Sequence, residues 1–184
     1  MPSGTLWATE NIKDENGNEL YFAWGETQGY TLGQVGTDKN FSWEDYKFGP
    51  DTAITKYNET DGLTVLEPED DAATVNWGEG WRMPTKEEFE ELLANTEYEW
   101  TEVDGVQGAK FTSKVDGYTD KFLFFPAVGF VERGNFINHT AIYRISSLGT
   151  NKISTYTLNC NAQNNYGIVG YYRFIGVTVR PVHN

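Results

Sequence analysis

The chain has 184 residues, which is enough for one domain with a hydrophobic core that needs no covalent cross-links. Its 14 Lys and Arg against 27 Asp and Glu give a net charge of −13. Nucleic acid is therefore excluded as a partner, because phosphate binding needs a basic surface. Cys160 is the single cysteine, so an intrachain disulfide, a CxxC redox pair and a cysteine-based zinc cluster are excluded as well. No apolar run reaches the length of a membrane span, and the first residues show no signal peptide.

The first part of the chain has the pattern of short strands joined by turns. Residues 5–9 and 20–24 are apolar and aromatic, and they flank an Asn-Gly-Asn turn at 16–18. This arrangement predicts a β-hairpin. Residues 27–41 are rich in glycine and polar side chains, and we expect a loop there.

Three stretches carry helix-start signals. Ser42 is the expected cap of a short helical turn at 42–46, and Pro68 with the carboxylates after it predicts a second helix start at 67–73. The clearest helix is predicted over 84–94, where Thr85 and Glu88 form a capping box. Its apolar side chains fall at i, i+3 and i+4 and form one stripe: Phe89, Leu92 and Leu93.

The second half of the chain switches to patterns typical of strands. Predicted strands lie at 109–112, 122–126, 141–146, 155–161 and 176–180, with a turn at 116–117. Short helices early and strands late indicate the α+β class, with twisted antiparallel sheets and two or three short helices.

Candidates for metal or nucleophile chemistry each have a simpler structural explanation. Four carboxylates near position 70 resemble a calcium cluster, but helix capping explains them better: Glu67, Glu69, Asp70 and Asp71. Cys160 lies in an alternating strand with no basic neighbour in sequence to lower its pKa, so a packed structural thiol is expected. His139 has no GxSxG nucleophile near it. The sequence therefore predicts no catalytic residue, no metal and no cofactor.

The C-terminal stretch 166–175 differs from an ordinary core strand. Its five positions 171–175 are all bulky, so both faces of a strand would carry large side chains and half of them would be exposed. Tyr, Arg and Phe are also the side chains enriched at binding hot spots. We expect at least two of these four to be exposed: Tyr171, Tyr172, Phe174 and Ile175.

Six motifs recur in an order that resembles the Fibrobacter succinogenes major paralogous domain, a family common in Bacteroidetes. They are WATENI at 7–12, YFAWGET at 21–27, DDAA at 70–73, WRMPT at 81–85, FPAVG at 125–129 and GVTVRPV at 176–182. The resemblance spans nearly the whole chain. It implies a C-type-lectin-like fold, similar to formylglycine-generating enzymes and to the variable proteins of diversity-generating retroelements.

The resemblance implies roles for several residues. Trp24, Trp81, Pro84 and Pro181 would belong to the scaffold, and Arg82 and Arg180 would pair with buried acids. The last strand would bring the two termini together. The chain departs from the family at 142–147, where IYRISS stands in place of the usual Tyr-Trp-Ser-Ser motif. It also lacks the cysteine pair of formylglycine-generating enzymes and the calcium motifs of lectins.

In diversity-generating retroelements, mutation of template adenines changes asparagine codons near the C-terminus of the encoded protein. Many residues at 168–175 are reachable from an asparagine codon by such changes. The resemblance thus divides one C-type-lectin-like domain, 1–184, into a scaffold at 1–135, a variable segment at 136–176 and a closing strand at 176–182. The expected ligand-binding residues are Asn138, Ile142, Tyr143, Arg144, Thr157, Asn165, Ile168, Val169, Tyr171, Tyr172, Phe174 and Ile175.

Three functions follow as expectations. The first is a non-catalytic module that binds a protein or glycan ligand on another cell or host through a variable surface. The second is a non-diversified surface or adhesin module whose C-terminal aromatics serve assembly. A relative of the formylglycine-generating enzymes is the third. For the first two, we expect a location on a bacterial cell surface, on a phage, or in the secreted fraction.

Overall fold

The computed structural model describes residues 1–183, which contain two α-helices, α1 (Ala72–Trp77) and α2 (Lys86–Asn95). Three short 3-10 turns lie at Leu32–Gln34, Trp43–Asp45 and Pro68–Asp70. Few helices and mostly antiparallel sheets confirm the predicted α+β class.

The strands form four three-stranded sheets, with the orders β1-β12-β2, β3-β4-β5, β11-β6-β7 and β10-β9-β8, and every neighbouring pair is antiparallel. Their bounds are β1 (Leu6–Trp7), β2 (Trp81–Arg82), β3 (Thr96–Val103), β4 (Val106–Ser113), β5 (Phe122–Pro126), β6 (Phe130–Glu132), β7 (Asn135–Ile137), β8 (Thr140–Leu148), β9 (Ser154–Asn161), β10 (Tyr166–Tyr172), β11 (Gly176–Val177) and β12 (Val182–His183).

The predicted helix starts are confirmed. Ser42 begins the 3-10 turn at Trp43–Asp45 with a capping box. Asp71 caps α1 by accepting from two backbone N–H groups. For α2, the side chain of Thr85 accepts from the Glu88 N–H while the Glu88 carboxylate accepts from the Thr85 N–H at 2.9 Å. The apolar stripe of α2 faces the core, since Phe89 and Leu92 are fully buried.

The predicted hairpin of 5–9 with 20–24 is wrong. The turn at 16–18 forms, but it closes only a bridge between Lys13 and Glu19. The backbone groups on either side bond to the C-terminal segment instead: Ala8 N–H to Pro181 O, Ile12 N–H to Val179 O and Phe22 N–H to Val177 O. This pairing satisfies more of the buried backbone than a short hairpin would. The expected meeting of the termini is confirmed, because β1 pairs with β12.

Strand β8 lies between two hydrophobic clusters and is buried on both faces. Ile142 packs in one cluster with Trp24, and Tyr143 packs in the other with Phe89. Trp24 is fully buried, and its indole N–H donates to the carbonyl of Ile145 at 3.0 Å. Trp24 therefore lies in the scaffold, as the resemblance implies. Pro84 and Pro181 are also buried, whereas Trp81 is half-buried.

Only one of the two arginines expected to pair with an acid does so. Arg82 makes a two-pronged contact with Glu88, with N···O distances of 2.7 and 2.6 Å. Arg180 is buried, and within residues 1–183 its guanidinium donates to neutral oxygens. The expectation of an acid partner for Arg180 is therefore wrong. Its place between the N-terminal segment and β5 gives it enough carbonyl and amide acceptors without a carboxylate.

The protein is expected to lose stability as pH rises above about 10. Burial raises the pKa of six tyrosines: Tyr21, Tyr30, Tyr46, Tyr57, Tyr98 and Tyr143. Below their ordinary pKa these side chains are neutral in both states. Above it the unfolded chain releases protons first, so the free energy of unfolding falls until the folded-state pKa is passed.

Three buried arginines act in the opposite direction, because burial lowers the pKa of Arg144, Arg173 and Arg180. The tyrosines should outweigh them, because a guanidinium is the side chain that is hardest to deprotonate. Urea unfolding followed between about pH 8 and pH 11 measures the net effect. A midpoint that stays constant or rises over that interval would contradict the expectation.

Candidate functional site

The predicted ligand-binding segment lies on the sheet β10-β9-β8, in which β8 is central to the molecule and β10 is an edge strand. Val169 pairs with Thr157, and Tyr171 pairs with Thr155. Successive side chains of a strand point to opposite faces. The sheet exposes residues mainly along its edge strand β10. It buries those along β8, because β8 has a hydrophobic cluster on each face.

The structure divides the twelve predicted site residues into three groups. Four are exposed: Asn138, Asn165, Val169 and Tyr172. Two are half-buried: Ile168 and Tyr171. Six are buried, so their prediction as ligand contacts is wrong: Ile142, Tyr143, Arg144, Thr157, Phe174 and Ile175.

Three of the buried residues lie on β8, which has a core cluster on each face. Ile142 and Tyr143 fill opposite clusters. The Arg144 guanidinium turns inward, where it donates to the Thr155 hydroxyl at 2.8 Å and to the Ile175 carbonyl at 2.5 Å. Thr157, on β9, donates its hydroxyl to the Val169 carbonyl at 3.3 Å. The bulky residues at successive positions of β8 therefore indicate a strand that is buried on both faces.

The expectation that two of the four bulky residues at 171–175 are exposed is not met. Tyr172 is 44 % exposed and Tyr171 is half-buried, but Phe174 and Ile175 have no exposed surface. The prediction assumed a continuous strand, whereas β10 ends at Tyr172 and the chain turns inward. Arg173 fixes the turn, since its guanidinium lies 4.9 Å from the Trp24 ring and donates to the backbone carbonyls of Lys56 and Tyr57.

The end of β10 carries a cluster of partly exposed aromatic and polar side chains. We call it the aromatic surface and define it by Trp43, Arg133, Asn159, Tyr171 and Tyr172. The Tyr172 ring lies 6.1 Å from Trp43, centroid to centroid. The Tyr171 hydroxyl accepts from the Asn159 amide at 3.2 Å.

Two buried aromatic rings support the aromatic surface from below. Phe174 stacks under Tyr172 at 5.3 Å, and the Arg133 guanidinium lies 5.6 Å from the same Phe174 ring. Phe130 contacts Tyr171, with ring centroids 5.6 Å apart. These contacts hold the exposed rings in place before any ligand binds.

Three residues of the aromatic surface were missed from the sequence: Trp43, Arg133 and Asn159. A tryptophan inside a polar, capped turn was a usable signal, because such a turn has little core of its own to hide an indole. Arg133 precedes Gly134, where Asn-Gly would be the usual pair for a two-residue turn. Asn159 had no signal beyond its place in an alternating strand.

Two exposed members of the predicted set lie away from the aromatic surface. Asn165 is in the β9–β10 turn, seven residues before Tyr172, which corresponds to roughly 20 Å along an extended strand. Asn138 lines a separate open pocket of about 520 Å³ with Tyr21 and Phe136. The structure therefore brings together only part of the predicted segment.

The acidic cluster near position 70 is neutralised by lysines. Oxygens of Glu67, Glu69 and Asp70 lie within 4.8 Å of one another. The Lys56 ammonium is 2.6 Å from Glu67, 3.3 Å from Glu69 and 2.6 Å from Asp70. Lys47 approaches the other Asp70 oxygen at 2.5 Å. These contacts support a structural role for the cluster over a cation site.

Removal of divalent metal is therefore expected to leave stability unchanged. Domains whose folding depends on a metal lose that binding energy when a chelator removes it. Thermal unfolding with and without EDTA should give midpoints that agree within about 2 °C, which corresponds to less than about 1 kcal/mol for a chain of this size. A fall of more than a few degrees would show that a cation contributes to the fold.

The single cysteine is packed in the core, as expected. Cys160 has no exposed surface and lies in the cluster around Phe89 and Leu158. Burial raises the pKa of its thiol, which is the opposite of the shift that activates a nucleophile. His139 is exposed in the turn before β8, so its imidazole does not share the buried environment of the Cys160 thiol.

Comparisons with family models, with curated proteins and with solved structures each gave no match. Among residues 1–183, no helix combines the length and apolar character needed to cross a membrane.

Proposed function

We propose that the chain is a non-catalytic ligand-recognition module that displays a variable surface on a C-type-lectin-like scaffold. The main observation behind the proposal is the change in solvent exposure at the end of β10. Tyr171 and Tyr172 reach solvent, whereas all residues from 173 to 182 are buried. A rigid support under partly exposed aromatic rings is typical of binding hot spots.

The proposed fold is one C-type-lectin-like domain over 1–184. Three features support it: the pairing of β1 with β12, four small antiparallel sheets, and two short α-helices. The ligand would be a protein or a glycan on another cell or host. The protein would act at a bacterial cell surface, on a phage, or after secretion.

Recognition is tested by binding to arrays of extracellular proteins and of glycans. Tyr172→Ala should weaken a wild-type interaction at least about tenfold, because it removes an exposed aromatic contact. Tyr118→Ala is the matched control, since Tyr118 is 61 % exposed and lies in the loop before β5. Equal losses in the two variants, or no loss in either, would count against the aromatic surface.

Diversification is tested in the neighbouring DNA. We expect a reverse transcriptase gene and a near-copy of codons 140–182 that differs only at adenines. The differing codons should include those of exposed residues such as Val169 and Tyr172. The codons of the buried residues Phe174 and Ile175 should match, because a variable side chain would disrupt the core there. If the flanking DNA contains no such copy, the chain is a module that is not diversified.

A structural or adhesin module is the second candidate. Strands β7 and β10 are both sheet edges and carry exposed apolar side chains: Phe136, Ile137, Tyr166, Val169 and Tyr172. Exposed edges of this kind can pair with a partner chain. Light scattering distinguishes the two functions, since an assembly module should form oligomers that Val169→Lys disrupts, whereas a recognition module should remain monomeric.

A further inference from the structure

A pocket next to the aromatic surface is built by the tip of the β6–β7 hairpin. The tip, Arg133-Gly134, is fixed to the loop that contains Asn40 and Phe41. Arg133 N–H donates to Phe41 O at 3.0 Å, and Gly134 N–H donates to Asn40 O at 2.7 Å. The open pocket between them has a volume of about 370 Å³ and is lined by Asn40, Ser42, Trp43, Glu44 and Arg133. Its size is in the usual range for small-molecule sites.

Arg133 occupies a backbone position that an arginine rarely takes. Its φ is +49° and that of Gly134 is +74°, so both residues of the two-residue turn are left-handed. Asn-Gly is the usual pair for such a turn, because an arginine is strained in the left-handed region. A strained residue at a surface turn points to a role for its side chain.

The Arg133 side chain contacts a buried aromatic ring but has no carboxylate partner among the described residues. Its guanidinium lies over the Phe174 ring and is exposed, and it makes no ion pair with any residue in 1–183. The Asn40 side chain is also exposed and forms no hydrogen bond within that range. Two polar groups that line the pocket are therefore available to a ligand.

The pocket offers a mixed set of hydrogen-bonding groups beside an aromatic ring. Arg133 can only donate, ionised Glu44 can only accept, and the Asn40 amide does both. Glu44 is exposed, and its neighbours Ser42 and Arg133 lower the pKa of its carboxyl group, so this carboxylate is ionised at neutral pH. Trp43 adds an apolar surface for stacking.

We propose that this pocket binds a neutral pyranose sugar of a glycan. A sugar ring has an apolar C–H face for the indole and hydroxyl groups that both donate and accept. An anionic ligand would meet Arg133 but also Glu44 and a chain of net charge −13. A cationic ligand would be repelled by Arg133. The neutral, polyhydroxylated ring is the ligand class that suits all of these groups.

The proposal rests on the proposed recognition function and makes it more specific. Trp43, Asn40 and Arg133 belong to the scaffold segment 1–135, whereas Tyr172, at 6.1 Å from Trp43, belongs to the candidate variable segment. The scaffold would thus anchor one sugar, and β10 would contact the rest of the glycan. This arrangement separates an invariant part of the ligand from the part that a variable surface discriminates.

Saturation-transfer NMR of the full chain tests the proposal. The probes are methyl hexopyranosides, lactose and cellobiose, each at about 20 mM, which would nearly saturate a site with a dissociation constant of about 1 mM. The charged probes are N-acetylneuraminic acid, glucuronic acid and an acidic peptide. We expect saturation transfer to at least one neutral sugar and a reduction of at least about fivefold in Arg133→Asn and in Trp43→Leu.

A variant that should keep its stability and a matched control separate a loss of binding from a loss of folding. Asn is better suited than Arg to the left-handed turn, so Arg133→Asn should keep or raise stability. Tyr118→Ala should bind sugar like the wild type. Binding of the charged probes alone, no binding of any neutral probe, or unchanged binding in Arg133→Asn would overturn the sugar proposal. The proposed recognition function would still stand in those cases if Tyr172→Ala abolished binding on the arrays.

Discussion

Phe174→Ala is expected to destabilise the protein by about 3–5 kcal/mol, whereas Tyr172→Ala should cost no more than about 1 kcal/mol. Phe174 has no exposed surface and contacts Trp43 at 4.9 Å and Tyr172 at 5.3 Å, so its removal leaves a cavity. Tyr172 is 44 % exposed, and its removal mostly returns surface to water.

Urea unfolding of the two variants measures this difference, with Trp24→Ala as a reference for a fully buried aromatic residue. A loss of 3–5 kcal/mol is a large part of the 5–15 kcal/mol that is typical of a domain, so Phe174→Ala is expected to unfold at a temperature about 10 °C lower. If Phe174→Ala lowers the free energy of unfolding by less than about 1 kcal/mol, the Phe174 ring is not part of the core. The description of Phe174 as a support for the aromatic surface would then be wrong.

Features that depend on neighbouring residues could be predicted from the sequence. The caps of α2 and of the turn after Ser42 follow from side chains that reach only three residues along the chain. The strand at 122–126 also agrees with β5, because a run of consecutive apolar residues and a proline define its extent and its end. Few helices and antiparallel strands followed from these local signals.

Pairings between distant segments could not be predicted in the same way. The Asn-Gly-Asn turn favoured a local hairpin, yet Trp7 pairs with Val182 across almost the whole chain. Local patterns give the propensity of a strand but not its partner, because the free energy of pairing depends on what else the partner buries. Strand β10 shows the same limit, since a run of bulky residues did not reveal where the strand ends.

The candidate site was predicted in part for a related reason. Val169 and Tyr172 are exposed as expected, but Arg144 is not, because its environment depends on two clusters that only the folded sheet creates. Trp43 and Arg133 come from turns that are distant in sequence from β10. Their approach to Tyr172 and Phe174 is a consequence of tertiary packing.

Arg180→Met is expected to cost about 3–5 kcal/mol. The guanidinium of Arg180 donates to three oxygens on two segments, at 2.8 Å to Asn11, 3.2 Å to Ala8 and 3.0 Å to Phe124. Methionine keeps much of the side-chain volume but leaves these acceptors without their donor in a buried environment. Unpaired buried polar groups account for most of the expected loss.

The loss should be largest where Arg180 holds the N-terminal and C-terminal segments together. Hydrogen exchange should therefore accelerate at the amides of Ala8 and Ile12, which bond to Pro181 and Val179. Arg180→Lys should restore less than half of the lost stability, because one ammonium group does not reproduce the planar fork that reaches three acceptors. Arg133→Ala is the matched control, since its side chain is exposed and the change should shift stability by only about 0.5 kcal/mol. A cost below about 1 kcal/mol for Arg180→Met would show that the closing segment is held mainly by its backbone pairing and apolar packing.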